Sequence, residues 1–397
     1  MRIVFLSDWF SEQMGYAENC MPKALAALGH DVHVVTSTAQ VYATSDFYNA
    51  VYEPYLGEPF VDPEVKRVDG FTLHRLPLSR SRCGGHILGL RKKLIELRPD
   101  IVQTYDLTGP TTVTAALVKP LLRFKLFTAN HTVATVFPWY TSFDRQSLFF
   151  RCTWLFFKKY KGALLSLPTS LCYAVTPDAA VIATKFYGIP KRKIREESLG
   201  VDTDIFHPIL AEKDRQERDH VRNELGVAPN DILCVYSGRF TSAKNPLVLA
   251  RAVRMLRERG KPYRALFLGM GEQEDLLRSF PEVIVRPFVP FKKIAPYYRA
   301  ADVGVWPQQE STSQLDAMAS GLPVVLSDRL FAVERTDGNG LCYREGSDED
   351  LADVLSKLQD ASLRYALGKC GAEKGLAISW GALASRRAEE YAKALMC

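Results

Sequence analysis

The sequence alternates short apolar runs with segments of helical periodicity, and it does so in two separate series. In the first series the apolar runs have the length of strands and lie at residues 3–6, 32–35, 72–76, 101–104, 126–128 and 171–175. A helical pattern over residues 17–28 joins the first two runs, and Gly29 follows it as a stop signal. Strands that alternate with helices pair in parallel, so the first half predicts a doubly wound parallel α/β sheet.

A charged stretch at residues 212–222 separates this series from a second one. The second series has predicted strands at residues 232–236, 265–268, 283–285, 303–306 and 323–326, with helices near 246–258, 272–278, 292–300 and 313–319. We therefore predict two domains, residues 1–198 and 199–380. An amphipathic last helix, about 381–397, is expected to pack back on the first domain.

Composition narrows the class of protein. Of 397 residues, 47% are hydrophobic and 24% are charged, which is typical of a globular protein and excludes a disordered, collagen-like or coiled-coil chain. The net charge of +6 suggests phosphates or an anionic surface as partners, but it is too small to indicate nucleic-acid binding.

Cysteine spacing and the apolar segments predict the compartment. The eight cysteines include no CxxC pair and no His/Cys cluster of metal-binding spacing, so we expect thiols in a reducing cytosol and no metal site. The first residues lead directly into a strand without a cleavage site, and no apolar run approaches the ~18 residues of a membrane span. The sequence predicts a cytoplasmic protein.

Two cations follow the first strand of the second series. In the segment Ser237-Gly238-Arg239-Phe240-Thr241-Ser242-Ala243-Lys244-Asn245-Pro246, a strand ends and a helix begins near the proline. The carboxyl end of a parallel strand is where α/β sheets bind ligands. The guanidinium of Arg239 and the ammonium of Lys244 suit a diphosphate, and the alternative is a loop with two solvated charges.

A Gly-x-Gly loop follows the next strand, at Gly269-Met270-Gly271. Such loops often do no more than turn the chain tightly. The pattern alone leaves both a structural role and a ligand-binding role for Gly271 open.

The third candidate segment runs from Trp306 into the helix predicted at residues 313–319. Glu310 lies in the loop, and Ser311, Thr312 and Ser313 occupy capping positions at the helix start. Amides at a helix N-terminus bind phosphate oxygens, and Asp316 follows about one turn later. A capped structural helix would explain the serines but not the two acids beside them.

Together these segments resemble the retaining GT-B glycosyltransferases of family 4, the glycosyl transferases of group 1. The resemblance also rests on three further segments, Gly15-Tyr16-Ala17-Glu18, Leu199-Gly200-Val201-Asp202 with Phe206-His207-Pro208, and Asp316-Ala317-Met318-Ala319-Ser320-Gly321-Leu322-Pro323-Val324-Val325. It extends over nearly the whole chain. It implies two Rossmann-like domains that face each other across a cleft, the first binding the acceptor and the second a nucleotide-sugar donor.

The resemblance also implies roles for single residues. Arg239 and Lys244 would hold the diphosphate of a UDP- or GDP-linked sugar, Glu310 the hydroxyls of its hexose, and Asp316 the ribose. The amides of Ser311, Thr312 and Ser313 would meet phosphates and sugar, and Gly15, Tyr16, Gly238 and Gly271 would line the donor site. His131 falls where the family has a histidine near the reacting sugar; without the resemblance, a lone histidine after a strand is most often structural. No metal and no cofactor beyond the donor substrate are expected.

Two positions depart from the family pattern. The family places its two acids eight positions apart, whereas Glu310 and Asp316 are six apart and Gln308 occupies the position eight before Asp316. A shortened loop in which Glu310 still serves is our interpretation, with Gln308 as the alternative. The paired glycines of the family are Gly15 and Tyr16 here, so Tyr16 would narrow the space beside the phosphates or touch the acceptor.

One stretch of the first half is unusually rich in aromatic and basic residues. Residues 142–167 interleave phenylalanines, leucines and Trp154 with bases that include Arg151, Lys158 and Lys159. An apolar face surrounded by bases is typical of a helix that lies on an anionic bilayer. The alternative is a core helix whose basic side chains extend to solvent. The sequence thus leaves peripheral contact with the cytoplasmic membrane face as a hypothesis.

The sequence therefore predicts a metal-independent retaining hexosyltransferase that acts on a hydroxyl of a glycan or a lipid-linked acceptor. The altered acid spacing favours one alternative, a non-catalytic nucleotide-sugar binder of the same fold. A nucleotide-sugar epimerase or a phosphorylase is a further alternative. A dinucleotide-dependent oxidoreductase is disfavoured, because no GxGxxG follows the first strand.

Overall fold

We describe a computed structural model of the chain over residues 1–81 and 84–396. Cys83 and Cys397, two of the predicted thiols and the latter also the end of the predicted last helix, lie outside the described residues. The strands are β1 (Arg2–Leu6), β2 (Asp31–Ser37), β3 (Glu64–Val68), β4 (Phe71–Leu76), β5 (Leu78–Ser81), β6 (Gly84–Ile87), β7 (Ile101–Thr104), β8 (Lys125–Asn130), β9 (Thr169–Ala174), β10 (Ile194–Glu196), β11 (Ile232–Ser237), β12 (Tyr263–Leu268), β13 (Val283–Arg286), β14 (Val303–Trp306), β15 (Val324–Ser327) and β16 (Gly340–Tyr343).

The α-helices are numbered in the same way along the chain. They are α1 (Ala17–Ala27), α2 (Tyr48–Val51), α3 (Glu53–Leu56), α4 (Leu90–Leu97), α5 (Pro110–Leu122), α6 (Leu148–Trp154), α7 (Lys161–Ser166), α8 (Pro177–Val181), α9 (Glu212–Glu224), α10 (Leu247–Glu258), α11 (Glu274–Arg278), α12 (Ala295–Ala300), α13 (Thr312–Ala319), α14 (Asp348–Lys357), α15 (Ala361–Ala377) and α16 (Trp380–Met396). Two π-helical segments, Leu155–Tyr160 and Ile182–Phe186, continue α6 and α8.

The chain divides into two compact units. Unit 1 comprises Met1–Leu199 with Trp380–Cys397, and unit 2 comprises Gly200–Ser379. The sheet of unit 1 has the strand order β10-β9-β8-β7-β1-β2-β4-β3. Its strands pair in parallel except β3, which runs antiparallel to β4 at the edge. Residues 64–68 were not predicted as a strand, because their alternation of half-buried and exposed side chains leaves little apolar signal at a sheet edge.

The sheet of unit 2 has the order β13-β12-β11-β14-β15-β16, and all its pairs are parallel. The doubly wound α/β prediction is thereby confirmed for both units. The central strands are buried on both faces, which explains why they read as continuous apolar runs rather than as alternating patterns. The edge strand β16 was missed because only its last residue is buried.

The last helix, α16, packs within unit 1. Its Tyr391 hydroxyl donates to Gln103 Oε1 at 3.1 Å, and its Glu390 accepts a 2.7 Å hydrogen bond from the Tyr173 hydroxyl. A buried ion pair joins Arg387 of α16 to Glu197. These contacts tie the C-terminal helix to the first half of the chain.

Helix α13 packs closely against α15. A Cβ atom at Gly375 would lie 2.6 Å from Ala319 Cβ, and one at Gly368 would lie 2.1 Å from the Gly321 carbonyl oxygen. The small residues of this segment therefore serve the contact between the two helices as well as the contact with the sheet.

Among residues 1–81 and 84–396, no helix is both long enough and apolar enough to cross a membrane. Within the same part of the chain, no group of three or more His, Cys, Asp or Glu side chains is arranged to hold a metal ion.

Candidate functional site

Three loops of unit 2 leave the carboxyl ends of the neighbouring strands β12, β11 and β14. The loops after β11 and β14 carry the predicted cations and Glu310, respectively. Since parallel strands end at one edge of their sheet, the topology brings these loops together at the position where α/β proteins bind ligands.

The loop after β12 is interlocked with the loop after β11. The Phe240 amide donates to the Met270 carbonyl at 2.9 Å, and the Gln273 amide donates to the Phe240 carbonyl at 3.0 Å. A Cβ atom at Gly269 would lie 1.9 Å from the Gly238 carbonyl oxygen, and Gly271 meets Phe240 in the same way. Close backbone packing alone thus requires glycine at both positions, and the ligand role predicted for Gly238 and Gly271 stays a prediction.

Lys244 links the loop after β11 to the loop after β14. Its ammonium donates to the main-chain carbonyl of Glu310 at 3.0 Å. Burial and then the positive charge of Arg239 lower the pKa of Lys244 to about 8, while Glu310 opposes the lowering. The side chain is therefore a cation at neutral pH, held beside a second cation where an anionic ligand would relieve their repulsion.

The main chain at Arg239 is held by a hydrogen bond from Tyr236. The hydroxyl of Tyr236, a buried residue of β11, donates to the Arg239 carbonyl at 2.9 Å. The arginine side chain is half-buried, and its charge acts on Lys244. The two cations, five residues apart in sequence, are thus close enough for their charges to act on each other.

The structure separates the two candidates for the family's first acidic position. Gln308 donates its side-chain amide to Glu345 at 3.3 Å. Glu310 is the residue whose carbonyl receives Lys244 and whose charge acts on the lysine. The geometry favours Glu310 as the acid beside the cations, as the shortened-loop interpretation expects.

The start of α13 differs from the predicted serine cap. The Ser311 hydroxyl lies 2.7 Å from the Ser313 hydroxyl, and Ser313 in turn reaches the Ser237 carbonyl at 3.3 Å. The serine hydroxyls thus bind one another and the end of β11 rather than the helix amides. The amides of Thr312 and Ser313 lie in the first turn of the helix, where its dipole is positive.

Sequence analysis missed Arg335, a third cation in this region. Its guanidinium is buried and donates to the Ser311 carbonyl at 2.8 Å and to Gln314 Oε1 at 2.6 Å. Its charge also lowers the pKa of Lys244. No local motif marks Arg335, because it reaches the site from a segment beyond β15.

Asp316 lies deeper than the other candidates. It is only 8% exposed, and burial together with nearby Asp202 raises its pKa well above the ordinary value. A buried pair of carboxyl groups is stabilised by hydroxyl donors, which a ribose would supply. Asp202 was part of the resemblance but was not predicted as a site residue; only the fold brings it beside Asp316.

In unit 1, Gly15 and Tyr16 precede α1. Tyr16 occupies the N-cap position of this helix, and its hydroxyl is hydrogen bonded to Tyr42. Burial, followed by the charges of Tyr42 and Tyr52, raises the pKa of Tyr16 well above its ordinary value. Tyr16 is therefore fixed among other tyrosines.

His131 follows directly after β8. Its ring meets that of Tyr105 edge-on, with 5.5 Å between centroids. Burial, followed by the charge of Arg387, lowers the pKa of His131 to about 4. The imidazole is consequently neutral at physiological pH and can donate and accept one hydrogen bond each.

A pair of acids that sequence analysis missed lies at the ends of β1 and β7. Asp8 accepts a hydrogen bond from the Thr111 hydroxyl. Burial and then the charge of Asp8 raise the pKa of Asp106 to about 6. Burial also raises the pKa of Glu18, in the first turn of α1, to about 7. Isolated acids after strands carry no spacing signal, so only the sheet topology brings Asp8 and Asp106 together.

The remaining predicted residues lie in the aromatic and basic stretch of unit 1. Arg151 and Lys158 are exposed and Lys159 is half-buried. The prediction that Trp154 contacts a membrane or an acceptor is corrected here, because its indole nitrogen donates to the Phe186 carbonyl at 3.0 Å and its ring packs inward.

Two family models match this chain. The family model for Glycosyltransferase Family 4 matches residues 22–205, and that for Glycosyl transferases group 1 matches residues 231–360.

Curated relatives of the chain are named as glycosyltransferases. The chain is 28% identical over 244 residues to a D-inositol 3-phosphate glycosyltransferase of Nocardia farcinica, covering 56% of this chain and 52% of that one. It is 30% identical to the enzyme of the same name from Pseudarthrobacter chlorophenolicus, covering 55% and 54% of the two chains. The chain thus spans about half the length of the curated relatives it matches.

Solved structures match the fold over the whole chain. A glycosyltransferase from Rickettsia africae superposes with a TM-score of 0.71 at 15% identity, covering 100% of this chain and 98% of that one. Anabaena HepE in complex with UDP gives a TM-score of 0.70 at 15% identity, covering 99% and 100%. At such identities the likeness shows the fold, which is GT-B.

The two family models between them match most of the chain, one chiefly in each unit, and the fold agrees with both. The chain belongs to family 4 of the GT-B glycosyltransferases, the glycosyl transferases of group 1.

Proposed function

We propose that the protein transfers a hexose from a nucleoside diphosphate sugar to a hydroxyl of a glycan or a lipid-linked acceptor, with retention of configuration and without a metal ion. The observation that carries the proposal is that Lys244 contacts the Glu310 carbonyl while the charge of Arg239 acts on it, at the carboxyl ends of the unit 2 strands. The names of the curated relatives support glycosyl transfer.

Charge flow explains why the reaction needs these groups. Breaking the bond between the sugar C1 and the diphosphate leaves negative charge on the phosphate oxygens. Arg239, Lys244 and the amides at the start of α13 stabilise that charge, and fixed donors of this kind each contribute about 3–4 kcal/mol. These cations take the place that a metal ion has in other transferases.

The new bond forms between the acceptor oxygen and C1 on the face that the diphosphate leaves. The acceptor proton passes to a departing phosphate oxygen, so that no general base from the protein is required. The resemblance to retaining family members supports this route. Glu310 would hold hydroxyls of the hexose, and the neutral His131 would donate to or accept from the reacting sugar.

The proposed donor is a UDP-linked hexose, with a GDP-linked one as the alternative. The support for UDP is that Anabaena HepE, which shares the fold, is known in complex with UDP-glucose. Asp316 would bind the ribose hydroxyls of either nucleotide. Thermal-shift screening with UDP, GDP, ADP and their common sugars identifies the base and the sugar.

Release of free nucleoside diphosphate tests the activity. We expect the purified protein, treated with EDTA, to release UDP from the donor that stabilises it only when an acceptor is present. Proton NMR of the product would then show the anomeric configuration of the donor sugar. Replacement of His131 by Ala should slow release roughly tenfold or more, whereas His220→Ala, on exposed α9, should not.

The other functions give different results in the same assay. A non-catalytic binder would be stabilised by the nucleotide sugar but would release no diphosphate with any acceptor. An epimerase would rearrange its donor in the absence of acceptor, and a phosphorylase would require inorganic phosphate.

A further inference from the structure

The stretch rich in aromatic and basic residues forms one continuous helix on the surface of unit 1. Helix α6, the π-helical segment Leu155–Tyr160 and α7 follow one another with helical backbone angles at both junctions. Eight large apolar side chains of this helix and the residue after it are exposed, and we call them the aromatic ridge: Leu148, Phe149, Leu155, Phe156, Phe157, Tyr160, Leu164 and Leu167. The core-helix alternative left open by the sequence is therefore wrong.

The opposite face of this helix is firmly anchored. Phe150 and Trp154 pack on Trp139 and Phe143, and the Trp154 indole donates to Phe186. Further along, a Cβ atom at Gly162 would lie 2.0 Å from the Tyr187 carbonyl oxygen, which shows how closely the helix backbone approaches unit 1. The ridge is thus the outer face of an ordered element.

The π-helical segment explains why several aromatic side chains share the outer face. A π turn contains one more residue than an α turn and so rotates the following residues around the helix axis. The helix contacts the rest of unit 1 through Trp154 before this segment and through Gly162 after it. Phe156 and Phe157, which lie within it, remain 66% and 63% exposed.

A second helix widens the apolar surface. Lys119 of α5 donates its ammonium to the Pro168 carbonyl, directly after the end of the ridge. Leu117 and Leu121, on either side of Lys119 in sequence, are 76% and 62% exposed. So many exposed apolar side chains close to one another indicate a surface that contacts a membrane or another molecule.

The charge around this surface has one sign. Residues 107–177 contain eight Lys or Arg and a single acid, Asp144. The whole chain, by contrast, has 51 Lys or Arg against 45 Asp or Glu. The positive excess of the protein is therefore concentrated in the region that carries the ridge, and exposed Arg151, Lys158 and Lys161 lie on the ridge helix itself.

We propose that the aromatic ridge docks unit 1 on an anionic lipid bilayer. The phenylalanine and leucine side chains enter the boundary between headgroups and acyl chains, and the surrounding bases meet lipid phosphates. A second copy of this chain fits less well, because two copies would place one basic surface against another. The proposal goes beyond glycosyl transfer and does not depend on the donor.

Vesicle sedimentation tests the proposal with the full chain. We expect the protein to bind vesicles of phosphatidylcholine that contain phosphatidylglycerol, more weakly at higher salt, and to bind pure phosphatidylcholine vesicles less. The double variant Phe156→Ser with Phe157→Ser should lose roughly tenfold or more in vesicle affinity. The variant Lys158→Gln with Lys159→Gln should lose roughly tenfold and show a weaker salt dependence.

Matched variants in unit 2 serve as controls. Tyr365 and Leu376 of α15 are 74% and 64% exposed, so their replacement by Ser removes similar apolar surface elsewhere. Lys357→Gln with Lys369→Gln removes two exposed charges from the same unit. We expect the controls to bind vesicles like the parent chain, and all variants to keep the parent melting temperature because the replaced side chains are exposed or half-buried.

Three results would overturn the proposal. The first is failure of the parent chain to bind vesicles containing phosphatidylglycerol at low salt. The second is an equal loss of binding in the unit 2 controls. The third is a dimer in light scattering that the ridge variants turn into a monomer, which would assign the ridge to a second copy of the chain.

Discussion

The ammonium of Lys244 lies 3.0 Å from the main-chain carbonyl oxygen of Glu310. This contact joins two loops that are 66 residues apart in sequence and leave two adjacent strands of the unit 2 sheet. The lysine is therefore already positioned before a ligand arrives, with Arg239 close enough to influence its pKa. A diphosphate that binds here would meet a pair of cations with little rearrangement, since a carbonyl contact is readily exchanged for a charged acceptor.

Removing the charge of Lys244 should weaken nucleotide binding. We expect Lys244→Met to lose about 1.5–3 kcal/mol of UDP affinity, roughly 10- to 100-fold, because a charge-assisted hydrogen bond is lost. Isothermal titration calorimetry with UDP measures the loss. Lys357→Met, at an exposed position of α14, is the matched control and should bind as the parent does. Equal affinities in Lys244→Met and the parent would remove the basis of the proposed function.

Nucleotide affinity should also fall as the pH rises through about 8. Burial and Arg239 lower the pKa of Lys244 to about 8, so the free site loses this charge above that pH. Arginine stays protonated throughout the range. We therefore expect Lys244→Arg to bind UDP with an affinity that changes little between pH 7 and pH 9.5, and the parent to weaken over the same interval. Parallel pH profiles for the two proteins would contradict the assignment.

Replacing Asp316 by Asn should stabilise the fold at neutral pH while weakening nucleotide binding. Burial and Asp202 raise the pKa of Asp316 well above the 3.8 of an unfolded chain. Between these two values the folded state binds more protons than the unfolded state, so this residue makes stability fall as the pH rises. Melting temperatures should therefore be higher for Asp316→Asn than for the parent at pH 7 and similar at pH 4.

A lower melting temperature for Asp316→Asn at pH 7 would show that the carboxylate is held by groups that favour its charge. Glu310→Gln provides the comparison within the same site, since Glu310 is half-buried and lies on a loop. We expect that variant to retain the pH dependence of stability of the parent.

Replacing Gly269 by Ala should destabilise unit 2 severely. The added Cβ would lie 1.9 Å from the Gly238 carbonyl oxygen, and the backbone φ of +154° is one that side chains rarely adopt. We expect a loss of about 3 kcal/mol or more in the free energy of unfolding, measured by urea denaturation. Gly260→Ala isolates the steric part, because its φ is also positive but nothing lies near the new atom.

The Gly260 variant should lose only about 1 kcal/mol. Similar losses in the two variants would mean that backbone conformation, and not the interlocking of the loops, is what requires glycine at position 269.

The two ion pairs of helix α16 should make very different contributions to the free energy of unfolding. Arg387 and Glu197 are each 9% exposed, so Glu197→Gln leaves a buried guanidinium charge without its counter-ion. We expect unfolding to become easier by about 3–5 kcal/mol. Arg195 and Glu390 form an outer pair in which the arginine is 57% exposed, and Arg195→Gln should cost less than about 1 kcal/mol. Thermal and urea unfolding of both variants measure the two losses of stability. A larger loss for Arg195→Gln than for Glu197→Gln would contradict the prediction.

The predictable part of the fold is the part encoded by local pattern. Buried central strands such as β1, β11 and β14 are continuous apolar runs, so the sequence locates them to within two residues. Strands β3, β5, β6, β10 and β16 were not predicted. For β3 and β16 the reason is visible in their burial, because each stands at the edge of its sheet and buries few residues.

The same division applies to the candidate site. The family resemblance predicts Arg239, Lys244, Glu310 and Asp316 as residues of one site, and the fold places them around the end of β11 and the start of α13. The sequence could not show that Arg335 joins these residues, or that Asp202 lies beside Asp316. Such neighbours are distant in sequence, and no period or spacing records a contact made through the packing of separate elements.

Apolar periodicity and turn chemistry, which act over a few residues, thus determined the two alternating series and the family motifs from the sequence alone. Tertiary structure decided that Glu310 rather than Gln308 lies beside the cations, that both glycines of residues 269–271 serve loop packing, and that the side chains of the aromatic ridge face outward. These are properties of contacts between segments, and exposure or a shifted pKa exists only once the chain has folded and the surrounding dielectric is fixed.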